Sequence, residues 1–151
     1  AAERWFKSGA DLAKVGRYLE SLRPLEQALA YSVEGSHDPL VAAIRSYYGL
    51  AIAMCRGDLE RGLGLCEEAA LEQQRDADML VNLSHVYVRM GRKDMAIETL
   101  RTAAAYDPRN PRVRMLQAQL GVRRPPVFPF LRRGNPINRM AGKIRHRVMP
   151  L

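Results

Sequence analysis

The sequence has little of what small disulfide-rich domains and metalloproteins depend on. Its 151 residues include two cysteines and three histidines. Cys55 and Cys66 form neither a CxxC pair nor a disulfide framework, and the histidines form no HExxH pair. Both cysteines lie in apolar helical sequence, so we expect them to fill the core. This usage favours a reducing, cytoplasmic compartment, although a removed signal peptide is compatible with the sequence.

Long apolar runs and catalytic motifs are also missing. The longest apolar run, residues 47–55, is far shorter than the ~20 residues of a membrane-spanning helix. Gly62-Leu63-Gly64 lacks the third glycine of a dinucleotide loop and lies in a predicted helix, so we expect close helix packing there. No nucleophile is placed with a base. The sequence therefore predicts no enzyme, no cofactor or metal and no small-molecule substrate.

Acidic residues are absent from the C-terminal part of the chain. Residues 121–151 contain no Asp or Glu, and the other 120 residues contain all 16 of them. Eight of the 24 Lys and Arg lie in the same segment, so the remaining 16 balance the acids and the net charge of +8 belongs to this tail. The eight basic residues are Arg123, Arg124, Arg132, Arg133, Arg139, Lys143, Arg145 and Arg147.

Helix-forming residues in helical spacing dominate the sequence up to residue 120. Gly16, Gly57 and Gly91 each follow an apolar stretch and precede a charged one. Glycine tolerates the positive φ with which many helices end, so each predicts a turn between two helices.

Two helix starts are marked by a capping residue followed by proline. Asp38-Pro39 predicts a long helix over about residues 39–56, and Asn110-Pro111 predicts a short helix over residues 111–120.

The segment 77–110 repeats a recognisable spacing of small and apolar residues. Its key positions are Leu80, Leu83, Tyr87, Gly91, Ala96, Leu100, Ala103 and Pro108. In these positions the chain resembles the tetratricopeptide family, whose 34-residue helix–turn–helix repeat has this pattern. Residues 43–76 follow it in degenerate form, and residues 2–35 follow it through Trp5, Gly9 and Leu12.

The resemblance implies an all-α fold, a right-handed superhelical solenoid of about three antiparallel helix–turn–helix repeats. Its domain would span residues 1–120, with units at about 2–35, 43–76 and 77–110 and a capping helix at 111–120. The basic tail, residues 121–151, would follow it, with a short helix over about residues 136–149. Such solenoids are interaction scaffolds, so we expect an adaptor that binds a peptide or helix of a partner protein.

The resemblance also implies a binding groove lined by the first helix of each unit. By position, the groove residues would be Phe6, Lys7, Lys14, Tyr47, Tyr48, Asn82, His85 and Arg89. The alternative is that Tyr47 and Tyr48 pack against the long helix or the tail. Some relatives hold a chaperone's C-terminal carboxylate in a clamp of Lys and Asn. The matching positions here are Phe6, Ala10, Tyr48, Asp78 and Asn82, so most of the clamp chemistry is missing and that partner is disfavoured.

Three interpretations of the tail stay open. Val127, Phe128, Phe130 and Leu131 could pack back onto the solenoid, or the tail could be an arm for self-association or for another protein. Alternatively, its eight positive charges could contact nucleic acid or an acidic membrane surface, in which case binding would weaken steeply with salt.

Overall fold

The computed structural model describes residues 1–33 and 35–122, and these residues fold into helices without strands. The predicted helix at 136–149 and the whole basic tail beyond Val122 lie outside the described residues. The helices are α1 (Ala2–Lys14), α2 (Tyr18–Ala30), α3 (Pro39–Arg56), α4 (Leu59–Glu72), α5 (Ala77–Arg89), α6 (Lys93–Tyr106) and α7 (Pro111–Gln119).

Six of these helices form three hairpins, α1/α2, α3/α4 and α5/α6, and each hairpin packs on the next. The second helix of one hairpin contacts the first helix of the following one, and α7 closes the last hairpin against α5 and α6. No hairpin can bury its apolar face alone, so the stacked hairpins bury these faces against one another, in three clusters of buried residues. The fold is an all-helical solenoid, as the sequence predicts.

The helix boundaries follow from local chemistry. Gly16, Gly57 and Gly91 have φ values of 80°, 69° and 76°, as expected for turns that require a left-handed residue. The Asp38 side chain accepts a hydrogen bond from the Leu40 backbone N–H at the start of α3. The Asn110 side chain accepts from the backbone N–H groups of the first turn of α7. The long helix and the capping helix therefore begin where the sequence predicts.

Small residues let paired helices approach closely, and Gly49 and Gly62 are the clearest case. A Cβ on Gly62 would lie 2.6 Å from the Gly49 carbonyl oxygen, and a Cβ on Gly49 would lie 2.8 Å from the Gly62 carbonyl oxygen. The expected close packing at the Gly62-Leu63-Gly64 segment is thus made by Gly62, whereas a Cβ on Gly64 would meet no atom within 4 Å.

The two cysteines differ in their surroundings. Cys66 is fully buried between α3 and α4, where its thiol donates to the Ser46 carbonyl oxygen at 3.3 Å and burial raises its pKa to about 12. Cys55 is exposed near the end of α3, so the expectation that it fills the core is wrong. No helix among the described residues is long and apolar enough to cross a membrane.

The two glycines of α4 give a matched test of the close approach. Gly62→Ala should lower the free energy of unfolding by about 1–3 kcal/mol, because the new methyl group overlaps the α3 backbone. Gly64→Ala should raise it by up to about 1 kcal/mol, because alanine favours a helix and has room there. Urea unfolding followed by circular dichroism measures both, and equal effects of the two substitutions would refute the α3–α4 contact.

Candidate functional site

The first helix of each hairpin and the capping helix lie side by side. Contacts join α1 to α3, α3 to α5, and α5 to α7. Side chains from these four helices meet on one side of the solenoid, which we call the inner face and define by Phe6, Lys14, Tyr47, His85 and Arg112.

The Tyr47 ring is the centre of the inner face. The edge of the Phe6 ring meets it with ring centroids 5.7 Å apart and planes at 67°. Two cations also approach the ring: Lys14 Nζ lies 5.9 Å and Arg112 Cζ lies 5.4 Å from its centroid. Such cation–π contacts are each worth roughly 0.5–2 kcal/mol. Tyr47 is only 3% exposed, and its burial raises the pKa of the hydroxyl, which therefore stays protonated.

Arg112 joins three of the four helices in a hydrogen-bonded network. From α7, its Nη1 donates to Tyr47 Oη on α3 at 3.1 Å and to Asp78 Oδ1 on α5 at 3.1 Å. Its Nη2 donates to Asn82 Oδ1 at 2.5 Å. The Asn82 amide in turn donates to Ser46 Oγ at 3.0 Å. The network satisfies polar groups that would be costly to bury unpaired.

Sequence reasoning missed Arg112, although the repeat carries a signal that points to it. Asp78 and Arg112 are 34 residues apart, so they occupy equivalent positions in successive repeat units. Opposite charges at equivalent positions of neighbouring units are placed to pair. The further reach of Arg112 to Tyr47, 65 residues away, has no such signal.

His85 lies beside Arg112 on the inner face and is uncharged at neutral pH. Burial and then the Arg112 charge lower its pKa to about 4. It therefore offers a partner hydrogen bonding and ring surface rather than positive charge.

The other residues predicted for the groove are distributed differently. Asn82 is fully buried under Arg112. Lys7 and Arg89 are exposed on α1 and α5, and Lys7 pairs with Asp11 at 2.8 Å one turn further along its helix. Lys7 and Arg89 thus border the inner face, and Asn82 supports it from inside the protein.

Tyr48 does not lie on the inner face, contrary to its predicted place in the groove beside Phe6 and Tyr47. Its ring lies 5.7 Å from Arg61 Cζ of α4 and lines a cleft between α2 and α4. Successive residues of a helix point about 100° apart, so Tyr47 and Tyr48 serve different surfaces. The eight basic residues predicted to bind a partner through the tail lie outside the described residues.

Comparison with known proteins identifies one family. Residues 53–120, from the end of α3 through α7, match the family model described as tetratricopeptide repeat. No curated protein matches the chain. Among the described residues, no three or more His, Cys, Asp and Glu are grouped to hold a metal ion.

The low pKa of His85 predicts a pH-dependent stability. The unfolded chain takes up a proton at His85 as the pH falls below 6.5, whereas the folded protein does so only near pH 4. Protonation of His85 should therefore lower the free energy of unfolding by up to about 3 kcal/mol as the pH falls from 6.5 to about 4. The difference in unfolding free energy between the wild type and His85→Gln, measured from pH 7 to 4, isolates this effect.

An NMR titration supplies the control for that measurement. The His85 imidazole should titrate near pH 4, and Arg112→Met should raise its pKa because one of the two causes of the shift is removed. Titration of His85 near 6.5 in the wild type would contradict the described burial.

Proposed function

Because residues 53–120 match the tetratricopeptide-repeat family, whose members bind other proteins, we propose that the inner face of this chain binds a short segment of a partner protein. The family's repeats typically act as non-enzymatic scaffolds. We accordingly assign no catalytic residue, no cofactor and no small-molecule substrate.

The observation that carries the proposal is the combination of a partly exposed aromatic ring, Phe6, and an exposed cation, Lys14, on the inner face. Phe6 is partly exposed beside the buried Tyr47. Lys14 is exposed about two turns further along α1. Within the described part of the chain, Lys14 has no carboxylate within 4.0 Å, whereas Lys7 is paired with Asp11 and Arg112 with Asp78. A partner carboxylate would therefore be drawn to Lys14.

The Arg112 network defines which part of the inner face is open. The guanidinium group lies over Asp78, Asn82 and Tyr47 and is itself only 14% exposed in its side chain. It occupies the space above α5 that a bound segment would otherwise use. The open part of the face thus lies over α1 and α3.

These features define the kind of segment that fits. An aromatic or aliphatic side chain would pack against the partly exposed Phe6 ring, and an acidic residue next to it would pair with Lys14. We propose a short acidic and apolar peptide or helix as the ligand. Self-association, nucleic-acid binding and binding to an acidic membrane surface stay predictions for the tail, which lies outside the described residues.

A library of displayed random peptides tests the proposal directly. The wild-type protein should select peptides that combine an aromatic or aliphatic residue with an acidic one. Phe6→Ala combined with Lys14→Glu should weaken the selected peptides about tenfold or more, because it removes the apolar contact and reverses the charge.

The matched control combines Leu19→Ala with Lys93→Glu, which makes the same kinds of change at exposed positions of α2 and α6. It should leave peptide affinity unchanged in a fluorescence-polarisation titration. Equal loss in both double variants, or no loss in the first, would exclude the inner face as the binding surface.

A further inference from the structure

The second helices of the hairpins leave two clefts on the side away from the inner face. The first lies between α2 and α4 over α3 and has a volume of about 550 Å³. The second lies between α4 and α6 over α5 and has a volume of about 520 Å³. The two clefts are equivalent by the repeat, but their chemistry differs.

The first cleft carries charges of both signs. Arg45 and Arg61 line it together with Glu68 and Glu72, and Arg45 pairs with Glu72 at 2.9 Å. The second cleft has two carboxylates, Glu67 and Glu98, and no Lys or Arg among the described residues that line it. Burial raises the pKa of the Tyr87 hydroxyl, and the positive charge of Arg92, at the turn before α6, opposes this rise. Arg92 does not line the cleft.

The floor and rim of the second cleft are apolar. Leu80 and Leu83 form the floor with Tyr87, whose hydroxyl donates to Glu67 Oε1 at 2.8 Å. On the rim, Leu71 is 70% exposed and Tyr106 is 48% exposed. Large apolar side chains that border an apolar depression and carboxylates mark a site for a segment with apolar and positively charged residues.

The chain itself contains a segment of this chemistry directly after α7. We propose that residues 123–133, with the sequence RRPPVFPFLRR, dock in the second cleft of the same molecule. Phe128 and Phe130 would contact the apolar floor at Leu83 and Tyr87. The arginines on either side of them would face Glu67 and Glu98.

The path from the end of the described chain to the cleft is short. A connection of four residues, 107–110, returns α7 antiparallel to α6, so the end of α7 lies near the start of α6. The second cleft lies on the other side of α6, a helix about 10 Å across, and its lining on α6 begins at Glu98, about 7 Å along the helix from Lys93. Phe128 lies six residues beyond Val122, and six residues in the extended form that prolines favour span about 19 Å.

Charge decides between the two clefts. The first cleft is separated from α7 by an entire hairpin, and its own arginines would repel the tail. The second cleft is nearer and carries only negative charge in its described lining. Docking there also leaves Phe6 and Lys14 uncovered, so the inner face stays available to a partner.

Amide NMR spectra of the full chain test the proposal. Replacing both Phe128 and Phe130 by Ser should shift the amide signals of Leu71, Thr99 and Thr102, which lie on the two walls of the second cleft. Signals of Ser32 and Leu65, from the walls of the first cleft, should not move. Because the substitutions lie in the tail, they leave the helical core intact.

Charge reversal gives the matched pair of cleft variants. Glu98→Arg should reduce the ratio of docked to free tail about two- to fivefold, seen as movement of the Phe128 and Phe130 signals toward those of an undocked tail. Glu68→Arg, the same change at an exposed position of α4 in the first cleft, should leave these signals in place.

Three outcomes would overturn the proposal. Unchanged signals at the second cleft in the serine variant would show that the tail does not dock there. Equal effects of Glu98→Arg and Glu68→Arg would show that the carboxylate of the second cleft is not recognised. Tail signals that change with protein concentration, together with a dimer mass in light scattering, would assign the cleft to the tail of a second copy.

Discussion

The Arg112 guanidinium group is the contact on which the inner face depends. Elements of a repeat solenoid contact mainly their neighbours, yet Arg112 on α7 reaches past α5 to the Tyr47 hydroxyl on α3. Asp78 balances its charge, and Asn82 and Tyr47 accept its remaining hydrogen bonds. The network fixes how α3, α5 and α7 sit together. The Arg112 charge adds to the burial that lowers the pKa of His85, and the network limits the open face to α1 and α3.

The two surfaces of the solenoid have complementary roles in this account. The inner face combines the partly exposed Phe6 ring with the cation of Lys14, which suits an acidic and apolar segment. The second cleft on the opposite side combines an apolar floor with Glu67 and Glu98, which suits a basic and aromatic one. The chain carries a segment of the second kind in residues 123–133. A segment held there would keep its four arginines away from the acids of a partner on the inner face.

The sequence predicts well what local chemistry decides. Asp38-Pro39 and Asn110-Pro111 mark the starts of α3 and α7 because capping and a fixed φ act within a few residues. The direction of a side chain on its helix depends instead on tertiary packing. The sequence predicts that Tyr47 and Tyr48 share one groove. In the structure the close approach of Gly49 and Gly62 sets the rotation of α3 against α4, and Tyr48 faces Arg61. Cys55 was misplaced for the same reason, and Arg112 was missed because its reach to Tyr47 spans two helices.

A double-mutant cycle between Arg112 and Tyr47 tests the central claim most directly. The unfolding free energies of the wild type, Arg112→Met, Tyr47→Phe and the double variant are measured by urea denaturation. If Arg112 ties α7 to α3 through the Tyr47 hydroxyl, the two substitutions should be non-additive by about 0.5–1.5 kcal/mol, although the residues are 65 positions apart. Additive effects would show that the network does not hold the inner face together and would contradict the account.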